Sequence, residues 1–278
     1  MITSANQLKG KIKNKASGDS KKAESLVRLY FMERFLERVS QSSYKNSFVL
    51  KGGMLASSLL GIDLRTTMDI DTTVKALTLS EEEIKRIVEE ICAINLGDGI
   101  TYDLLYAETI MDEFDYPGVR LHLEGHFENL KQPVKIDVST DDVITPRAIE
   151  YDYKLMFEDR TIELMAYNTE TLLAEKIQTV LNRSIANTRL RDFYDIYLLT
   201  SKTEFSWDIL VAAFNATCKK RSTNFTKETA SKVLRQIKDD TVIEKNWELF
   251  KKKNSFVDTT EWKDILSCLN ACIEKLFA

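Results

Sequence analysis

Residues 48–71, FVLKGGMLASSLLGIDLRTTMDID, govern how the rest of the chain is read. An apolar run at 48–50 stops at Lys51-Gly52-Gly53, and MLASSLLG at 54–61 follows as a short helix closed by Gly61. A second strand at about 68–74 carries Asp69-Ile70-Asp71. Glycines at a strand-to-helix turn allow close backbone approach, and the N–H groups that open a helix favour phosphate. In a strand, residues two apart project from one face, so Asp69 and Asp71 point together. Adjacent carboxylates repel, and one holds a proton unless a cation compensates them. Hard oxygen ligands in that arrangement suit Mg²⁺, which also coordinates substrate phosphates.

Working outward, the 278 residues include only 9 Gly and 3 Pro, a scarcity of turn-makers that predicts a helix-rich chain. A helix over 20–39 turns a broad apolar face inward, preceded by a shorter basic helix around 4–15. Ser80 with Glu83 forms a capping box for a helix running to about 95. Strands follow at 100–110, 118–125 and 133–139, and a short one at 161–165. From 169 onward the pattern is helical. The fold class expected is α+β: a mixed sheet with flanking helices over residues 1–165, then a helical domain over 166–278.

Composition removes several kinds of chemistry. The only histidines are His122 and His126, and Cys92, Cys218, Cys268 and Cys272 lack zinc-ligand spacing, so a metal here is held by carboxylates. No apolar run reaches the roughly 20 residues that cross a bilayer, and the first ten residues lack a signal-peptide core. A cytoplasmic protein without membrane association is expected. The net charge of −4 is unevenly spread: −11 over 98–173, +6 over 218–238 and +5 over 1–38. The basic segments suit a polyanion, although solvated helix faces carry similar charge.

Three further positions carry candidate chemistry. Asp137 interrupts the apolar strand PVKIDV, where a buried acid needs a partner or a metal, while a strand exposed on one face explains the acid equally well. The helix TLLAEKIQTVLNR (171–183) places Lys176 beside its apolar face, reaching a phosphate or snorkelling to water. The segment NTRLRDFYDIYLL (187–199) carries Asp192 and Asp195, and Arg191 with Asp195 has the spacing of an ordinary helix ion pair.

Taken in order, KGGMLASSL, RTTMDID, KIDV, LLAEKIQTVLNR and RLRDFYDIYLL resemble the AbiEii/AbiGii family of nucleotidyltransferase toxins over roughly residues 20–200. The resemblance implies a DNA-polymerase-β-like nucleotidyltransferase fold in a toxin of a toxin–antitoxin or phage-abortive-infection pair. It implies that Asp69, Asp71 and Asp137 hold Mg²⁺, and that Lys51, Gly52 and Gly53 cradle a nucleoside triphosphate. Arg65 and Thr67, in the RxTxDID pattern, support that loop or the phosphates. Lys176 and Asp192 match the lysine and acid of the family's later motifs, so the helical domain contributes them to the site. The wider superfamily favours Gly-Ser at the turn; Gly53 here lacks that hydroxyl. The activity implied is Mg²⁺-dependent nucleotide transfer to an RNA acceptor, the 3′ end of tRNA, with a cognate antitoxin as partner. Competing readings are kinase-like or nucleotidylating modification of a protein such as the antitoxin, nucleotidylation of a small molecule, and a non-enzymatic nucleotide-binding module.

Overall fold

The computed structural model describes residues 2–65, 67–75, 80–111, 117–140, 142–257 and 259–278. The chain divides into two compact units: Met1–Ser58, Thr66–Asp142 and Ile149–Ala166 form one, while Leu59–Arg65, Val143–Ala148 and Tyr167–Ala278 form the other.

The first unit is built on a mixed seven-stranded sheet. Its strands are β1 (Phe48–Lys51), β2 (Ile70–Val74), β3 (Ile100–Met111), β4 (Pro117–Phe127), β5 (Leu130–Thr140), β6 (Ile149–Lys154) and β7 (Thr161–Ala166), in the order β3-β4-β5-β2-β1-β7-β6. β2 runs parallel to β5 and β1 parallel to β7, while the remaining pairs are antiparallel. The alternation on β4 and β5 sorts their side chains. Val119, Leu121, Leu123, Val134, Ile136 and Val138 are buried, whereas Arg120, His122, Lys135 and Asp137 stand on the other face, half-buried or exposed. Each fully buried Leu or Ile contributes about 1.5–3 kcal/mol, so register is firmly set by this face.

Helices α1 (Ala5–Ala16), α2 (Ser20–Gln41), α3 (Gly52–Leu60) and α4 (Glu81–Cys92) accompany the sheet. α2 begins where the Asp19 carboxylate accepts the Lys21 and Lys22 N–H groups at 2.9 and 3.0 Å. Phe31 of α2 lies so close over the sheet that a Cβ on Gly125 would meet its ring at 2.5 Å. The amphipathic reading of this helix misses one feature: Glu33, Arg34, Glu37 and Arg38 are all buried. They are paired rather than solvated. Arg38 donates to both oxygens of Asp98 at 3.0 and 2.9 Å, and Arg160 to both oxygens of Glu37 at 2.7 and 3.0 Å. Arg34 reaches Glu37 at 2.7 Å. Two of the nine bases in residues 1–38 therefore serve the interior. β6, which is absent from the strands that the sequence pattern predicts, pairs along its full length with β7.

The second unit is helical: α5 (Thr169–Arg183), α6 (Leu190–Lys202), α7 (Trp207–Lys220), α8 (Lys227–Asp239), α9 (Thr241–Lys253) and α10 (Trp262–Leu276). Asn168 opens α5, accepting the Thr171 N–H at 2.7 Å and donating to the Thr145 carbonyl at 2.7 Å. Trp247, Phe193, Tyr194 and Trp262 are buried at its centre, with rings 5.3–6.3 Å apart in successive contacts. Among the described residues, no helix is long and apolar enough to cross a membrane.

Candidate active site

Lys51 ends β1, and the chain turns at Gly52, whose φ of +58° lies in the left-handed region. The next element starts at once, because α3 begins at Gly52 rather than at Met54. A Cβ on Gly52 would sit 2.2 Å from Asp71 Oδ2, so space as well as backbone conformation demands glycine. The Gly53 N–H donates to that same oxygen at 2.9 Å. The first contact at this turn is thus to a carboxylate of the protein itself.

Strand register brings the acids together. Lys51 pairs with Asp71 across β1 and β2, Asp71 with Asp137 across β2 and β5, Asp137 with Arg120 across β5 and β4, and Arg120 with Glu108 across β4 and β3. Asp69 comes just before β2, where the Thr67 hydroxyl lies 3.3 Å from its Oδ1. Asp69, Asp71 and Asp137 each offer a carboxylate oxygen, all within 4.8 Å of one another. Burial, then the charges of Asp69 and Asp137, push the Asp71 carboxyl up to about 7, against the opposing pull of the Gly53 N–H and Lys51. Three convergent hard oxygens, one of them on a carboxyl that burial and its neighbours' charge push up, fit a divalent cation. Lys51 directs its ammonium to Asp142 and, at 2.7 Å, to the Ser139 hydroxyl.

The second unit has a charged cluster of its own. Lys176 of α5 lies 2.8 Å from Asp192 and 2.7 Å from Asp195, both on α6. Arg65 forks onto Asp195, Nε to Oδ1 at 3.1 Å and Nη2 to Oδ2 at 3.2 Å. Asp195, Arg65 and Lys176 are all buried. Burial alone would raise the Asp195 carboxyl, but Arg65 and Lys176 outweigh it and bring it down to about 2. Burial would likewise lower Lys176, but Asp192 and Asp195 prevail and hold it above the usual lysine range.

The structure therefore gathers Lys51, Gly52, Gly53, Thr67, Asp69, Asp71 and Asp137 in one unit, and Arg65, Lys176 and Asp192 in the other. Arg120, Ser139, Asp142 and Asp195 also belong to these clusters; sequence pattern gives the first three no role, and Asp195 only that of a helix ion-pair partner. Arg120 sits in VRLHLEG, where an outward polar residue is the default. Asp195 has the helical spacing to pair with Arg191, yet it turns inward to Arg65 and Lys176.

The family model described as nucleotidyl transferase AbiEii toxin, type IV TA system, matches residues 34–268. The chain belongs to this AbiEii family. Every residue of both clusters lies inside the matched span, and α1 lies outside it. Among solved structures, a candidate nucleotidyltransferase of Helicobacter pylori superposes with a TM-score of 0.51 at 16% identity, covering 91% of this chain and 94% of that one. JHP933 from Helicobacter pylori gives a TM-score of 0.51 at 15% identity, with 91% of each chain covered. At such identities the likeness shows the fold, a nucleotidyltransferase sheet with flanking helices. A search of the curated proteins returns no match. Family and fold together make this AbiEii chain a toxin–antitoxin-system nucleotidyltransferase.

Proposed function

We propose that the chain transfers a nucleotide from a nucleoside triphosphate to an RNA acceptor, the 3′ end of a tRNA, at Asp69, Asp71 and Asp137. The observation that carries this reading is the convergence of those carboxylates beside the Gly52–Gly53 turn. Mg²⁺ bound there would neutralise phosphate charge and lower the pKa of the acceptor hydroxyl. That hydroxyl loses its proton to solvent and bonds to the α-phosphorus, while the α–β phosphoanhydride opens and pyrophosphate leaves.

The chain's own residues supply position. Gly52 lets α3 start against Asp71, the Gly53 N–H orients that acid, and Thr67 steadies Asp69. The opening of α3 and Lys51 are the proposed phosphate contacts. Arg65, committed to buried Asp195, fits the office of loop support better than a phosphate contact. Lys176 and Asp192 are assigned to the reaction by their match to the family's motifs, with Asp192 holding the ammonium. Exposed Lys9, Lys11, Lys13, Lys232 and Arg235 would meet an RNA backbone without reading sequence. The cognate antitoxin is the proposed protein partner, and restriction of phage the proposed setting.

The test uses purified protein, Mg²⁺, each α-³²P-labelled nucleoside triphosphate in turn, and total tRNA. Label on tRNA that disappears with chelator and in the Asp69→Ala/Asp71→Ala variant is the expected result, and it names the nucleotide. Label on protein bands instead would move the acceptor to protein. No label on either would overturn the proposal.

A further inference from the structure

Arg120 faces Asp137 directly across β4 and β5. Its guanidinium grips both carboxylate oxygens, Nε to Oδ1 and Nη2 to Oδ2, each at 2.7 Å. A bidentate fork of this kind is among the strongest charge-assisted contacts a carboxylate makes. Yet Asp137 also supplies one of the three oxygens that converge within 4.8 Å. The acid has two claimants. Its neighbours are placed differently, because among the described residues no lysine or arginine pairs with Asp69 or Asp71. Lys51, in register with Asp71, spends its ammonium on Ser139 and Asp142.

We propose that Arg120 is a built-in counter-ion that competes with a divalent cation for Asp137, and so sets how tightly the carboxylate cluster holds metal. The inference rests on the reading of Asp69, Asp71 and Asp137 as the metal site. With all groups ionised, three carboxylates and one guanidinium sum to −2, the charge that one divalent cation cancels. A cation that uses Asp137 must share it with, or take it from, a fixed positive charge. Arg120 thereby weakens binding of the bare ion, and metal that arrives with a triphosphate brings its own compensating charge. Arg120 is a positioning residue in this account: it acts through Asp137. Its side chain is one-third exposed, at 34%, which leaves it room to move off that acid.

A plain structural strut makes the opposite prediction. If Arg120 only holds Asp137 in the orientation that metal requires, removing it should weaken the site. Mn²⁺ binding to the full chain at pH 8, followed by electron paramagnetic resonance without nucleotide, separates the two. Arg120→Gln should bind Mn²⁺ about tenfold more tightly than wild type, since one repelling charge is gone. Arg120→Lys keeps the charge but cannot fork, and should bind about threefold more tightly. Melting temperatures establish that each variant is folded, and if Arg120→Gln is not, Arg120→Lys decides. Affinity equal to or below wild type overturns the counter-ion. Failure of wild-type protein to bind Mn²⁺ at all would instead overturn the metal reading of the three carboxylates, and this inference with it.

Discussion

The two charged clusters of this chain differ in their balance. In the sheet unit, among the described residues, Asp69, Asp71 and Asp137 converge against one paired arginine, Arg120. In the helical unit, Asp192 and Asp195 meet Arg65 and Lys176, two acids against two cations. The first arrangement drives Asp71 up to about 7, and the second holds Asp195 down to about 2. Uncompensated charge that the fold tolerates is the mark of a ligand site. Compensated charge, buried more deeply here than the three carboxylates, is the mark of an anchor, because a buried pair holds its geometry only while both partners are present. Lys176 and Asp192 combine an anchor's surroundings with motif positions that imply chemistry, so experiments on them must read stability and turnover together.

The largest expected contrast is in activity. Asp71→Asn should cut nucleotide transfer at least about a hundredfold. Without metal at pH 8 it should melt no lower than wild type, because it removes a repelled carboxylate. Asp195→Ala should do the reverse in kind, costing about 3–5 kcal/mol in urea unfolding by stranding Arg65 and Lys176. A turnover loss in Asp195→Ala with unchanged stability would break the distinction between site and anchor.

Acid titration sharpens the same contrast by about 2 kcal/mol. The Asp195 carboxyl sits at about 2 when folded, below its ordinary 3.8. The folded state therefore binds this proton less readily than the unfolded chain does. Its stabilisation is complete above 3.8 and is lost as pH falls through about 2. Asp195→Asn should flatten that part of the stability curve. The smallest effect is expected from ligand linkage: Mg²⁺ at ten times its Kd should add about 1.4 kcal/mol to wild type and nothing to Asp69→Ala/Asp71→Ala. Equal gains in both proteins would remove the carboxylates from metal binding.

Much of this contrast is legible in the amino-acid sequence. The glycine turn followed by Asp-Ile-Asp points to the grouping of Asp69 with Asp71 there, although Asp69 lies just before β2 rather than within the strand that alternation assumes. Asp137 stands out as an acid breaking an apolar strand. Arg120 does not, because its place opposite Asp137 depends on a pairing between β4 and β5 that local pattern cannot reveal. The inward contacts of Asp195 are hidden for a related reason: helical spacing offers Arg191 as a nearby partner, and nothing local announces Lys176 from α5 or Arg65 from the loop after α3. The charged residues of α2 show the same limit. Arg34 and Arg38 read as solvated bases until Asp98, Glu37 and Glu158 are brought alongside them.

Crystals grown with Mn²⁺ and measured at a wavelength where manganese scatters anomalously would show which of the two clusters holds metal. An anomalous peak should appear bounded by Asp69, Asp71 and Asp137, with none beside Asp192 and Asp195. A peak at the helical cluster, or none at the three carboxylates, would contradict the metal reading of Asp69, Asp71 and Asp137.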